Sequence, residues 1–118
     1  MAPEEELDLV KKAILLGKTV TGCFEWEDRA FRRLQKDSEL AGLTPSAIRQ
    51  LTIEFVAANG IIRQVKEQRP EYNDYEFYYK VLLTVPEFPH ELFVELRLVD
   101  ADVDLPTVFL VNAHPQRK

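Results

Sequence analysis

What most constrains this chain is a change of hydrophobic period at Gly60. Before it, apolar residues recur every three or four positions; after it, they alternate. All regular β-structure is therefore expected downstream of Gly60, with helices upstream. The predicted fold class is α+β: three N-terminal helices packed on one face of a four-stranded antiparallel sheet formed by the C-terminal half. A length of 118 residues with 46% hydrophobic content suits a single domain over 1–118 and leaves no room for a second.

The spacing predicts a first helix over 3–16. Pro3 occupies its first turn, Glu4, Glu5 and Glu6 face the positive end of its dipole, and Leu7, Val10 and Ile14 form its apolar stripe up to Gly17. Residues 18–23 read as an extended connector or short edge strand. A second helix is expected over 25–36, with Trp26, Ala30, Phe31 and Leu34 on one side and Arg29, Arg32, Arg33 and Lys36 on the other. Thr44 as N-cap and Pro45 in the first helical position start a third helix, which Asn59-Gly60 closes. Strands are expected over 61–67, 75–85, 92–99 and 107–113. The short links between the last three favour antiparallel neighbours, because parallel pairing needs a crossover of about a dozen residues or more. In this arrangement Tyr75, Phe77 and Tyr79 join Leu92, Leu96 and Leu98 beneath the helices, and Tyr78, Lys80, Glu95 and Arg97 point to the opposite, wetter face.

Charge weighs against a phosphate-gripping surface. The first 59 residues carry 8 basic and 10 acidic side chains and the last 59 carry 7 and 10, so the net charge of −5 is spread along the chain. Binding dominated by counterion release usually shows a basic excess, although a local basic patch is compatible with an acidic whole. Cys23 stands alone, so no internal disulfide is expected and a cytoplasmic setting fits. The start Met-Ala-Pro-Glu-Glu-Glu lacks the pattern of a signal peptide, and no apolar stretch approaches the roughly 20 residues of a membrane span.

Glu95, Arg97 and His114 form the most reactive constellation. Glu95 and Arg97 share a strand face, and His114 ends the neighbouring strand, with Lys80 and Tyr78 alongside. Glu95 as base, His114 as acid and Arg97 as phosphate holder would suffice to cleave RNA at a ribose 2′-hydroxyl without metal. The plainer reading of the same residues is cross-strand ion pairs on a solvated face and a histidine in an exposed tail. Arg29 and Arg33 could likewise edge a phosphate site or simply form the solvated side of a helix, neutralised by Glu25, Glu27 and Asp28. Asp100, Asp102 and Asp104 alternate as in a calcium loop, but Leu105 and Val111 stand where the glycine and glutamate belong, so an acidic turn is expected. Cys23 and His90 have no metal-binding partners and the glycines are scattered, so no metal and no cofactor is expected. Among the aromatic run, Tyr72 and Tyr78 are the expected exposed platforms.

In the order of its features the chain resembles the small toxin-type ribonuclease superfamily with RelE-like and barnase-like folds, especially its uncharacterised branches. The resemblance lies in an opening helix ending near Gly17, in TVTGCFEWEDRAFRRL, in GLTPSAIRQLTIEFVAANGII and in TVFLVNAHP at the last strand, and it spans most of the chain as a pattern. It implies a candidate sheet face and a toxin-type ribonuclease, with RNA as substrate or an antitoxin-like protein as partner. Those branches tend to carry a histidine at the start of the second helix; here Phe24, Glu25 and Trp26 occupy that stretch, leaving His114 as the suitably placed histidine. The alternative expectation is a non-catalytic interaction or regulatory module that offers its sheet face or edge to a protein partner or to its own copy in a homodimer.

Overall fold

The helical half begins where proline and glutamate place it. In the computed structural model, which describes residues 1–116, α1 runs Pro3–Leu16, and the Glu5 carboxylate accepts a hydrogen bond from the Ala2 backbone N–H at 3.1 Å. Residues 117 and 118, the end of the polar tail expected after the last strand, lie outside the described residues. Leu9, Val10, Ala13 and Ile14 are the buried stripe of α1. Gly17 ends the helix with an ordinary right-handed φ of −58°, so it is not there for backbone freedom. A Cβ at this position would lie 2.7 Å from that of Phe24, and the glycine is what lets the next segment pass so close.

That segment is the main departure from expectation. Residues Phe24–Trp26 form a strand, β1, with Phe24 and Trp26 buried and Glu25 exposed. Helix α2 consequently starts at Asp28 and runs to Gln35, capped by the Glu27 carboxylate, which accepts from the backbone N–H groups of Arg29 (2.9 Å) and Ala30 (3.2 Å). Helix α3 spans Pro45–Ala57, and Thr44 Oγ1 caps it by accepting from the Ala47 N–H at 3.1 Å. At its far end Asn59 takes the left-handed conformation (φ 65°), Gly60 N–H donates to Phe55 O and Asn59 N–H to Val56 O. Both bonds of a Schellman stop are thereby made, with asparagine in the left-handed position.

The remaining strands are β2 (Arg63–Lys66), β3 (Phe77–Leu83), β4 (Leu92–Asp100) and β5 (Thr107–Pro115). The sheet thus has five strands in the order β1-β5-β4-β3-β2 and is mixed, where four antiparallel strands were expected. The extra strand pairs parallel to β5, with Phe24 opposite Val108 and Trp26 opposite Leu110. The other pairings are antiparallel. A second departure concerns Tyr75, which precedes β3 and does not continue its inward-facing series.

Helices and sheet enclose one core. Val81, Val94, Leu96, Val108 and Leu110 from the sheet are fully buried, as are Ile14, Ile48 and Ile53 from the helices. Polar side chains tie the layers together. Arg49 on α3 donates through Nε to Phe24 O and through Nη2 to Gly17 O, both at 2.7 Å, and Trp26 Nε1 donates to Pro45 O at 2.7 Å. At the other edge, buried Tyr79 donates its hydroxyl to Glu6 and accepts from Gln64, and burial raises its pKa above the ordinary phenol range. Asp102 is engaged by backbone N–H groups of Asp104 (2.8 Å) and Leu105 (3.0 Å), as a capped turn requires, and these donors lower its pKa. Among the described residues no helix is long and apolar enough to cross a membrane.

Candidate functional site

Alternation along β4 turns Glu95 and Arg97 to the face away from the helices, as their spacing predicts. In the register, Glu95 lies opposite Lys80 on β3 and Asn112 on β5, and Arg97 opposite Phe109. The face around them is not wet. The segment from Glu67 to Glu76, which joins β2 to β3, folds back across it, so that only 5% of Glu95 and 2% of Arg97 remain exposed. Two side chains of that segment complete a square of alternating charge. Arg69 donates to Glu67 through Nε (2.9 Å) and to Glu95 through Nη2 (2.7 Å); Arg97 Nη2 reaches Glu95 at 3.2 Å and also bonds the Glu67 carboxylate. The two carboxylates and two guanidiniums cancel in charge, which makes the burial of Glu67, Glu95 and Arg97 tolerable, with Arg69 closing the square from a part-exposed position.

Tyrosines roof this square. The Arg97 guanidinium carbon lies 3.7 Å from the centroid of the Tyr72 ring and 5.0 Å from that of Tyr75; Arg69 lies 4.8 Å from Tyr72 and 5.1 Å from Tyr78. Nε and Nη1 of Arg97 are buried and find no hydrogen-bond partner among the described residues, so the π faces of Tyr72 and Tyr75 compensate the cation where oxygen atoms do not. The hydrogen bonds from Arg69, with Arg97 in support, overcome the opposing effect of burial and hold the Glu67 carboxyl down at about 2; the same carboxylates raise the pKa of Arg69 further above its usual value.

Beside the square lies a cleft of about 400 Å³. Helix α2 supplies one wall with Glu27, Arg29 and Arg33, and Tyr72 and Tyr75 form the facing one. Between them Val99, Phe109 and Val111 join Arg97. A β-bulge helps shape this surface. Leu96 faces Leu110 while Glu95 faces Asn112, so Val111 has no opposing residue. The Arg33 Nη2 donates to Asn112 Oδ1 at 3.0 Å; among the described residues neither Arg29 nor Arg33 forms an ion pair, and the Arg29 guanidinium makes no hydrogen bond. The Glu27 carboxylate is committed to capping α2.

The expected site residues fall into separate places. Glu95 and Arg97 meet directly, and Arg29, Arg33 and Arg97 line one cleft. Tyr78 stacks on Arg69, and Lys80 sits across the strand pair from Glu95. His114 shares the outer face but pairs with Phe93, two positions along from Glu95, a diagonal offset of about 7–8 Å in a sheet. Its exposed ring stacks on Phe93 with centroids 4.6 Å apart, and Nδ1 lies 3.3 Å from the Pro115 carbonyl oxygen.

Sequence reasoning missed Glu67, Arg69 and the placement of Tyr75. A signal was available: the link between the antiparallel pair β2 and β3 is ten residues long, where hairpin loops usually have about two to five. It also carries Tyr72 and Tyr75 at a spacing of three, which suits a turn of helix better than a strand. Among the described residues no group of three or more histidine, cysteine, aspartate or glutamate side chains is gathered as a metal site would require. No protein-family model matches the chain, and neither does any curated protein or any solved structure.

Proposed function

We propose that this domain is a non-catalytic binding module that receives its partner on the outer sheet face, in the cleft between α2 and the 67–76 segment. The observation that carries this reading is the commitment of Glu95. Its side chain is 6% exposed beneath the 67–76 segment, and its Oε2 accepts from both Arg69 and Arg97. A general base needs a lone pair within reach of the proton it removes, directly or through one water. Arg97 is likewise held by Glu67 and Glu95 beneath Tyr72, and His114 is spent on a stacking contact with Phe93. Among the described residues Arg29 and Arg33 form no ion pair, which suits holding a ligand better than transforming one.

The competing reading is a metal-independent ribonuclease of the toxin type using Glu95, Arg97 and His114. Incubating the purified protein with a range of RNAs in chelator separates the two, with His114→Ala as the diagnostic variant because His114 is exposed and its replacement leaves the buried square intact. The expected result is no cleavage at high protein concentration. Cleavage that survives repurification and disappears in His114→Ala would overturn the module reading.

A further inference from the structure

Resting on that module reading, we infer that the cleft binds a small organic anion made of a flat aromatic body and one carboxylate or phosphate head. Two features of the cleft set these halves. Arg29 and Arg33 stand one helical turn apart, an i, i+4 pair whose Cβ atoms are about 5–6 Å apart, close enough to share one anionic head. Among the described residues they have no carboxylate partner, on a chain whose overall charge is −5, so the cationic character here is local. Unpaired arginines with fork-shaped donors match planar or tetrahedral oxyanions better than any neutral group.

The rest of the lining selects the body. Val99, Phe109 and Val111 offer apolar surface, and Tyr72 and Tyr75 offer ring faces and hydroxyls. Arg97 adds no net charge, because the square it belongs to is neutral. The cleft therefore carries two cationic charges against the single carboxylate of Glu27, an excess of one. This balance favours a ligand with a single head group over a polyanion. The volume of about 400 Å³ falls at the lower end of the range for small-molecule sites, about 300–1,000 Å³. A long nucleic acid is disfavoured on both counts: it would need a charged track, and the chain as a whole carries a net charge of −5.

Carboxylate and phosphate heads are separated by the choice of probes. The full chain is titrated with 2-naphthoate and with adenosine monophosphate, each followed by calorimetry and by the Nε–H resonances of the arginines. Uncharged 2-naphthylmethanol and inorganic phosphate serve as the half-ligands. Saturable binding of one or both complete probes at or below about 1 mM is expected, with shifts at Arg29 and Arg33 and at least about tenfold weaker binding of each half-ligand. The exposed double variant Arg29→Gln with Arg33→Gln should weaken the complete probe by about tenfold or more, with its unfolding midpoint unchanged. Whichever probe binds tighter identifies the head group. No saturable binding of either complete probe, binding at the same strength in the double variant, or equal binding of a half-ligand each overturns the inference. A failure of this kind without RNA cleavage removes the ligand class and leaves the binding module standing; cleavage lost in His114→Ala removes the module itself.

Discussion

Replacing Glu67 with glutamine tests the charge square. The substitution keeps the size of the side chain and removes the charge that offsets Arg69 and Arg97, on a side chain that is 1% exposed. Its cost follows from the acidity of the carboxyl, which is about 2 in the folded protein against 4.5 ordinarily. At about 1.4 kcal/mol per tenfold, the ionised form contributes about 3 kcal/mol at neutral pH, close to the roughly 3–5 kcal/mol lost when one partner of a buried pair is removed. Because the folded-state value is depressed, this stability is fully present above about 4.5 and is lost as pH falls towards 2. The linkage relation leaves about 1.4 kcal/mol at pH 3 and under about 0.5 kcal/mol at pH 2. Urea unfolding followed by circular dichroism, on wild type and Glu67→Gln between pH 2.5 and 7, reads the difference directly. The two curves should converge on acidification. A gap below about 1 kcal/mol at pH 7, or one that stays constant with pH, would refute the assignment of Glu67 as the ionised centre of the network.

Two further substitutions probe other parts of the same argument. Tyr72→Leu retains apolar cover over Arg97 and Arg69 but removes the ring face, and should lower stability by about 1–2 kcal/mol in the same assay; an unchanged midpoint would mean that the ring serves only as cover. Gly17→Ala would ordinarily gain about 0.4–1 kcal/mol at a helical φ, yet here the new methyl lies 2.7 Å from the Phe24 Cβ, so a net loss of about 1–3 kcal/mol is expected; a variant as stable as the parent would show that β1 can shift without cost. The expected absence of RNA cleavage and the expected aromatic-anion affinity complete the set.

The period change at Gly60 made the layered architecture legible, since Ile48, Thr52, Ile53 and Val56 recur at helical spacing on the buried side of α3 and Tyr78 to Leu83 alternate in burial. Thr44-Pro45 and Asn59-Gly60 marked both ends of α3 because capping chemistry is local. β1 was illegible for the opposite reason. Three residues give too little alternation to recognise, Glu27 and Asp28 read equally well as part of a first helical turn, and the strand's partner lies near the far end of the chain. The side of the sheet taken by Glu95 and Arg97 was readable from a spacing of two. Their burial was not, because it is imposed by a loop whose path depends on Glu67 and Arg69 finding them. Tyr75 was misplaced because its alternation with Phe77 and Tyr79 continues the strand pattern, whereas Asn73-Asp74 delay the start of β3.

The parallel pairing of β1 with β5 also shapes how the molecule comes together. Phe24 and Val108 are 84 positions apart, whereas β3, β4 and β5 meet through short hairpins. Contacts near in sequence close at lower entropic cost and form sooner. The hairpins can therefore exist while the outer margin of β5 is still bare, and a bare strand margin is a template for other chains. Phe24–Trp26 is the segment that seals it, so a nascent chain carries its own stopper from early in synthesis but can insert it only after residue 110 has been made.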